Sequence, residues 1–334
     1  MRIVTQIHEG AWNQFLDRSV NGNIFHTPAM HQVFSATARC SSRVWAVADE
    51  DGAIRGILPT VDIAVFNGVM RSWTTRTVVF GSLLSDGGKG AAEAVGMLLR
   101  TYRREVQRNT LFTELRNIAD MEIFQPVLQD TGFTFEPHLN YLIDLTRSES
   151  ELWSSIRSNA RRNIRKAQKS GVVIEDIRDE SRMGAVYAVI RHVYRRIQVP
   201  LPDQSLFESA FRVLQPRGML RVLMARYGDQ DIGALMLLNY RNMLHYWYTG
   251  TLEQFFEYRP ADLLVWHSLL LGKEAGCKTF DFGGAGRPDE IYRVRDFKAK
   301  FGGDLVNYGR NVCVHAPFRL GVSRAGYGLV RKFL

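Results

Sequence analysis

The sequence predicts an α/β chain of two similar domains, each a mixed twisted sheet flanked by helices. Three observations predict it. The chain is 334 residues long, and at roughly 150 residues per domain that suggests two. Hydrophobic residues make up 46% and charged residues 23%, which fits a globular protein and excludes disordered, collagen-like and low-complexity classes. One order of elements, a hairpin followed by a helix and a strand, occurs twice.

In the first copy, strands at 44–48 and 54–63 flank Asp49-Glu50-Asp51-Gly52, the Asp/Gly chemistry of a hairpin turn. Residues 91–107 follow as a helix, with Ala94, Met97, Leu98 and Tyr102 at helical spacing. A strand at 111–116 comes next and offers Glu114, Arg116 and Asn117 at its end. In the second copy, strands at 220–225 and 232–238 flank Tyr227-Gly228-Asp229-Gln230. A helix at 261–275 starts at Pro260 and stops at Gly276. A strand at 279–282 then runs into Gly283-Gly284. Between the copies, Leu142-Ile143-Asp144-Leu145 ends a strand and Thr146-Arg147-Ser148-Glu149 begins a helix. This divides the chain into a first domain at 1–147 and a second at 148–312. The segment 313–334 is expected to return to the first domain.

Charge is the next guide. Lys plus Arg is 43 against 34 for Asp plus Glu, a formal +9, which suggests an anionic partner. Residues 151–171 read as one helix with an apolar stripe of Trp153, Ile156, Ala160, Ile164 and Ala167. Ser148 and Glu151 form a capping box, and Gly171 is the expected C-cap. The other face is basic and carries Arg161, Arg165 and Lys166. Such a face lacks the mixed signs that stabilise a solvated helix. RNA or clustered phosphates would offset its self-repulsion; acids elsewhere in the fold would do the same. A second cluster, Arg191, Arg195 and Arg196, stands before Val199-Pro200-Leu201-Pro202. Guanidinium forks there suit phosphates or structural ion pairs equally.

Asp281-Phe282-Gly283-Gly284-Ala285-Gly286 is a strand entering a glycine-rich turn. It lacks the GxGxxG spacing of a dinucleotide site, so its glycines are read as allowing a close backbone approach. Asp281 is a candidate catalytic carboxylate at the entrance to this turn. The run His245-Tyr246-Trp247-Tyr248 alternates on a strand. One face is core, and the other, with Tyr248, is a candidate pocket lining beside Asp281.

Other chemistry is excluded or weak. No apolar run reaches the roughly 18–20 residues of a membrane-spanning helix, and residues 1–10 show no secretion signal. Cys40, Cys277 and Cys313 are scattered, which argues against a disulfide framework and fits a reducing cytoplasm. The eight histidines show no metal-ligand spacing, and neither a GxSxG elbow nor a Walker motif occurs. No metal is expected.

Several segments together resemble the FemAB-like proteins. They are Leu152-Trp153-Ser154-Ser155-Ile156 with residues 160–167, Tyr246-Trp247-Tyr248-Thr249-Gly250 with residues 259–266, and Phe280-Asp281-Phe282-Gly283-Gly284 followed by Phe297-Lys298 and Phe301-Gly302. Phe25-His26-Thr27-Pro28 with Trp45 resembles the opening of that family. The resemblance spans nearly the whole chain. It implies tandem GNAT-type acyltransferase domains that move an acyl or aminoacyl group onto an amine. The implied acceptor is a cell-envelope precursor with phosphate groups, of peptidoglycan or polysaccharide. The implied donor is aminoacyl-tRNA or acyl-CoA, with no resident cofactor. Phe297 and Lys298 are thereby placed at the catalytic centre, with Arg195 or Arg196 on phosphate; apart from the resemblance, the first-copy strand offers Arg116 as a substrate contact. Two departures stand out. Residues 151–171 are too short for the long helical hairpin common in the tRNA-using branch, and residues 30–34 lack a lysine expected on precursor phosphate.

The expected location is cytoplasmic, with the inner face of the membrane as an open further partner and DNA excluded. Two alternatives remain at this point: an acyl-CoA-dependent N-acyltransferase of a small amine, and a non-catalytic RNA- or membrane-binding protein of the same fold. For the former, Ser85-Asp86-Gly87-Gly88-Lys89-Gly90 is the nearest stretch to a pyrophosphate loop, without its leading Arg or Gln.

Overall fold

The repeated order of elements folds as two sheets, each with one parallel strand pair bridged by a helix. The computed structural model describes residues 1–64, 66 and 68–330, with backbone alone for residue 69 and residues 324–330. It divides into two units, residues 1–137 with those from 308 on, and residues 138–307.

The first unit runs β1 (Arg2–Val4), α1 (Glu9–Arg18), α2 (Pro28–Ser35), β2 (Cys40–Ala48), β3 (Ile54–Ile63), β4 (Arg76–Phe80), β5 (Leu84–Ser85), α3 (Ala91–Val106), β6 (Phe112–Arg116), α4 (Gln125–Asp130) and β7 (Thr134–Glu136). The second runs β8 (Asn140–Asp144), α5 (Glu149–Ser155), α6 (Ser158–Lys169), β9 (Val172–Asp176), α7 (Met183–Arg196), α8 (Gln204–Leu214), β10 (Leu220–Tyr227), β11 (Gln230–Tyr240), β12 (Met243–Thr251), α9 (Pro260–Glu274), β13 (Thr279–Gly284), α10 (Arg293–Lys298) and β14 (Asp304–Val306). The chain then returns to the first unit with β15 (Arg310–Val314) and α11 (Pro317–Val330).

The first sheet has the order β1-β2-β3-β4-β6-β15-β7, with β5 beside β3. The second has the order β14-β8-β13-β12-β11-β10-β9. Every pair is antiparallel except β4 with β6 and β12 with β13. Parallel strands need a crossover, and α3 and α9 supply it. Amphipathic α3 buries Leu98, Leu99 and Tyr102 against Trp45 and Leu58. By contrast α9 is apolar nearly all round, as a helix covered on most sides must be, and buries Leu264, Val265 and Leu269 with Leu235 and Phe280.

The structure differs from expectation at two places. The crossing between units comes near residue 138 rather than 148, because β8 pairs with β13 and β14 in the second sheet. The return begins at 308 rather than 313, because all of β15 pairs with β6 and its first residues also pair with β7. In addition, 151–171 is not one helix. The Ser148–Glu151 capping box starts α5, but Ile156 and Arg157 are extended (ψ 131° and 145°) before α6 begins. The Ser154 and Ser155 hydroxyls bond back to the carbonyls of Glu151 and Leu152. The Arg157 N–H goes to the Lys300 carbonyl at 2.8 Å instead of a helical partner. Leu152 rather than Trp153 is then the buried residue of α5, while Ala160, Ile164 and Ala167 form the buried stripe of α6. Gly171 ends the helix at φ 84°, the left-handed conformation expected of a C-cap glycine.

Candidate active site

The site is built where β12 and β13 part. The two strands pair in parallel over Met243–His245 and Thr279–Asp281, and pairing stops there although β12 runs on to Thr251. Beyond Asp281 the chain turns at Gly283, φ 68°, and a Cβ there would stand 3.1 Å from the Tyr246 carbonyl. Only glycine suits both the angle and the approach. The sheet opens between these strands.

Asp281 lies at the opening and is fully buried. Its Oδ1 accepts from Asn140 Nδ2 at 2.6 Å and from the Gly283 N–H at 2.7 Å. Its Oδ2 stands 3.2 Å from His245 Nδ1 on the neighbouring strand. The two atoms are within hydrogen-bond distance, but the ring is not aimed to make the bond. Burial alone would raise the Asp281 pKa, but the His245 ring, Asn140 and the Gly283 N–H together hold it below the usual carboxylate range. In general a carboxylate beside Nδ1 of an imidazole favours the tautomer whose basic atom is Nε2.

Lys298, from α10, fills the base of the opening. Its ammonium donates to the carbonyls of Phe282 (2.5 Å), Gly283 (3.2 Å) and Gly284 (2.9 Å). It also lies 5.7 Å from the Tyr246 ring centroid and 5.6 Å from that of Phe282. Burial pushes its pKa down to about 8, with Asp281 pulling the other way. All three N–H donors are engaged, so Lys298 fixes the glycine turn and adds positive potential beneath it. Phe297 is half-buried and packs edge-on against Phe301, 5.3 Å between centroids.

The bulge in the β11–β12 pairing falls at Trp247, so Tyr248 takes up the face that carries His245. Its ring meets Tyr194 of α7 and Phe207 of α8 at 6.2 and 5.0 Å. Burial pushes the Tyr194 hydroxyl up to about 12, with Tyr292 adding to the rise. The last turns of α7 line a cavity of about 490 Å³ with Arg191, His192, Arg195 and Arg196, and Glu253 enters it. Arg196 and His192 both pair with Glu253, at 3.3 and 3.4 Å. Among the described residues Arg191 and Arg195 have no carboxylate partner. The cavity therefore has a cationic excess.

Other expected residues are engaged in contacts of their own. In the first unit, Arg116 and Arg310 share Glu114, each at 2.7 Å. Burial works against the Glu114 carboxylate, but the two arginines hold its pKa below the usual range. On α6, Arg165 stacks over Trp153 at 5.3 Å. Arg161, Arg165 and Lys166 form no ion pair among the described residues. The acid partners that would make this an ordinary solvated face are thus not there. The stretch Ser85–Gly90 closes on itself. Asp86 pairs with Arg55 at 2.9 Å and accepts from the Gly88 N–H, Arg55 reaches the Lys89 carbonyl, and Ser85 accepts from the Gly87 N–H. Among the described residues no group of three or more His, Cys, Asp or Glu is placed to hold a metal ion.

Sequence reasoning named His245 only as part of an aromatic run and passed over Asn140, yet both contact Asp281. The signal for His245 was a polar ring in an otherwise aromatic strand. Its partner could be named only once the β12–β13 register was known.

Comparison with known proteins agrees with this architecture. Residues 154–298 match the model of the acetyltransferase (GNAT) domain. Among solved structures, FemX superposes with a TM-score of 0.71 at 14% identity, covering 94% of this chain and 97% of its own. L-PGS from Bacillus licheniformis superposes with a TM-score of 0.60 at 13% identity, covering 97% and 98%. A tandem GNAT protein from the clavulanic acid biosynthesis pathway gives 0.59 at 11% identity, covering 95% and 99%. No curated protein matches the sequence.

Proposed function

We infer that this chain, a FemAB-like tandem GNAT protein with a GNAT acetyltransferase domain at residues 154–298, transfers an acyl or aminoacyl group onto an amine of a phosphate-bearing cell-envelope precursor. The observation that carries the reading is the His245–Asp281 pair at the parting of β12 and β13. An amine attacking an ester or thioester must lose a proton. His245 Nε2 accepts it as the N–C bond forms, and the buried Asp281 stabilises the imidazolium. The same nitrogen returns the proton to the departing oxygen or sulfur as the old acyl bond breaks. Lys298 acts at one remove, by holding the glycine turn whose backbone frames the opening. Arg191 and Arg195, unpaired by carboxylates, suit the acceptor's phosphate, and Arg195 is favoured over Arg196, which Glu253 neutralises. The envelope precursor is the acceptor that the sequence resemblance implies.

Between donors, two observations favour aminoacyl-tRNA over acyl-CoA. In the Ser85–Gly90 loop the Gly87 and Gly88 N–H groups are already taken by the Ser85 and Asp86 side chains, and the segment before α9 has no glycine but carries Glu253 and Glu257. Neither suits a pyrophosphate. The unpaired basic face of α6 suits RNA. The test is direct. The purified chain is given radiolabelled aminoacyl-tRNA or acyl-CoA with a nucleotide-linked muropeptide, and the product is identified by mass. A labelled amide from aminoacyl-tRNA is expected. Product from acyl-CoA alone would favour the N-acyltransferase reading, and no turnover with either donor and any envelope amine would sink the enzymatic reading.

A further inference from the structure

The basic face of α6 has neighbours that charge alone does not explain. The helix carries five cations, Arg161, Arg162, Arg165, Lys166 and Lys169, and no acid in its twelve residues. All but Arg161 are exposed. Any phosphate chain, single or double, would satisfy such a face. Aromatic rings flank it on both sides, however. On one flank the Arg165 guanidinium lies 5.3 Å from the ring centroid of Trp153, which is half-buried. On the other, Asn163, Lys166 and Ser170 share a stripe by their spacing of three and four residues. Asn163 donates to Asp262 in the first turn of α9 at 3.2 Å. This flank therefore runs beside the 3₁₀ segment Glu253–Tyr258 that leads into α9, and α6 packs against that segment.

There Tyr258 stacks on Tyr227, with 4.2 Å between centroids and 26° between planes. Phe255 adds a third ring 6.2 Å from Tyr258. Tyr227 ends β10 opposite Val172, the residue that follows the Gly171 stop of α6. Both tyrosine rings stay partly open to solvent. Of the acids on these neighbouring segments, Glu253 is engaged by Arg196 and His192. Glu257 and Asp229 are exposed, as is Arg259, so the cations of α6 keep a clear excess. Cations with stacked, half-open aromatics at their side match a chain that has both phosphates and free π-faces. The bases of a duplex are stacked on one another, whereas those of a single strand can settle on aromatic rings or guanidinium planes.

We propose that this surface of the second unit, the outward face of α6 with the Tyr227–Tyr258 pair beside it, seats single-stranded RNA, with phosphates on the cations and unpaired bases on the rings. It rests on the donor reading above only in taking RNA as the polyanion. The full chain is titrated with a fluorescein-labelled single-stranded RNA of about eight nucleotides, and with the duplex of the same strand, by anisotropy across a salt series. The single strand is expected to bind more tightly than the duplex at every salt concentration. Tyr258→Leu keeps an apolar side chain but removes the ring, and should weaken single-strand binding about fivefold or more with the salt slope unchanged. Tyr258→Phe keeps the ring and should bind as the parent does. Lys166→Gln combined with Lys169→Gln should instead flatten the slope, by somewhat under one per lost phosphate contact. Tyr258→Trp supplies a readout that does not depend on the leucine variant folding, a change in emission beyond the parent's on adding single strand but not duplex. No single-strand binding at low salt overturns the proposal. So does a duplex that binds as tightly, which would mean generic attraction to polyanions, or a Tyr258→Leu variant that folds and binds as the parent does. An unresponsive Tyr258→Trp variant overturns it as well. The donor is judged separately by turnover: amide from aminoacyl-tRNA beside an unchanged Tyr258→Leu variant would remove the seat and spare the donor, and ring-dependent RNA binding with amide from acyl-CoA alone would do the reverse.

Discussion

In the proposed reaction His245 takes the proton and Asp281 stabilises the charge that results, so a change at His245 is the sharper probe. His245→Gln keeps a polar group of similar size but cannot shuttle the proton. Amide formation should fall by roughly 10²–10⁴ while the dissociation constant of the acceptor stays within about twofold, by rapid quench and equilibrium binding. Parental turnover in that variant would remove His245 from the mechanism. Lys298→Met probes the turn instead. It keeps the length of the stem but strands three carbonyls, each loss of a partner costing about 1–3 kcal/mol. The melting temperature should drop by several degrees, and a variant as stable as the parent would show that the clamp carries no stability. A third prediction concerns His315, whose Nε2 meets Thr113 Oγ1 at 2.8 Å. Burial, with Arg103 adding to it, pushes its pKa down to about 4 from an ordinary 6.5. The unfolded chain therefore binds more protons than the folded chain between those values. Stability is complete above about pH 6.5 and should decline as pH falls towards 4, and His315→Gln should flatten the decline in urea titrations. At this scale the sequence was readable where chemistry is written locally, as in the strand–Gly-Gly run and the Phe-Lys pair. It was unreadable where a partner lies on another strand, as for His245 and Asn140.

Elements were legible in proportion to how local their causes are. The hairpins, the start of α9 at Pro260 and the capping box of α5 come from residues within a few positions of one another, and the sequence placed them to within a few residues. The break between α5 and α6 was not visible, because the 3–4 spacing of apolar residues runs straight across it. Its cause is a carbonyl at Lys300, far along the chain. The break matters for the basic face, since α6 is a separate twelve-residue helix anchored by Ala160, Ile164 and Ala167. Reversing Arg161, Arg165 and Lys166 to Glu should leave that anchor intact. If α6 contacts an RNA donor, tRNA affinity should fall and the slope of log affinity against log salt should flatten by somewhat under one per lost phosphate contact. Filter binding across a salt series reads both. An unmutated chain that ignores tRNA at low salt would end the RNA role for this helix.

For the whole molecule, the duplication was legible because each half repeats a complete local order. The exact seams were not, since β8 and β15 are short strands that declare their sheet only by pairing. The placement of β15 between β6 and β7 makes the first unit discontinuous and the second continuous. Residues 138–307 alone should therefore give a cooperative thermal transition, whereas a chain ending at 307 should lose the transition of the first unit, both by differential scanning calorimetry. A single transition that survives the truncation unchanged would contradict the pairing. The same placement sets a clock during synthesis. Domains usually fold in the order in which they leave the ribosome, at about 5–20 residues per second. Here β6 and β7 emerge early but cannot be joined until β15 follows, a wait of roughly 10–35 s at that pace. The second unit, though later in the chain, is free to finish first. Nascent chains stalled after residue 307 should accordingly protect the later unit from protease and leave the earlier one open to it.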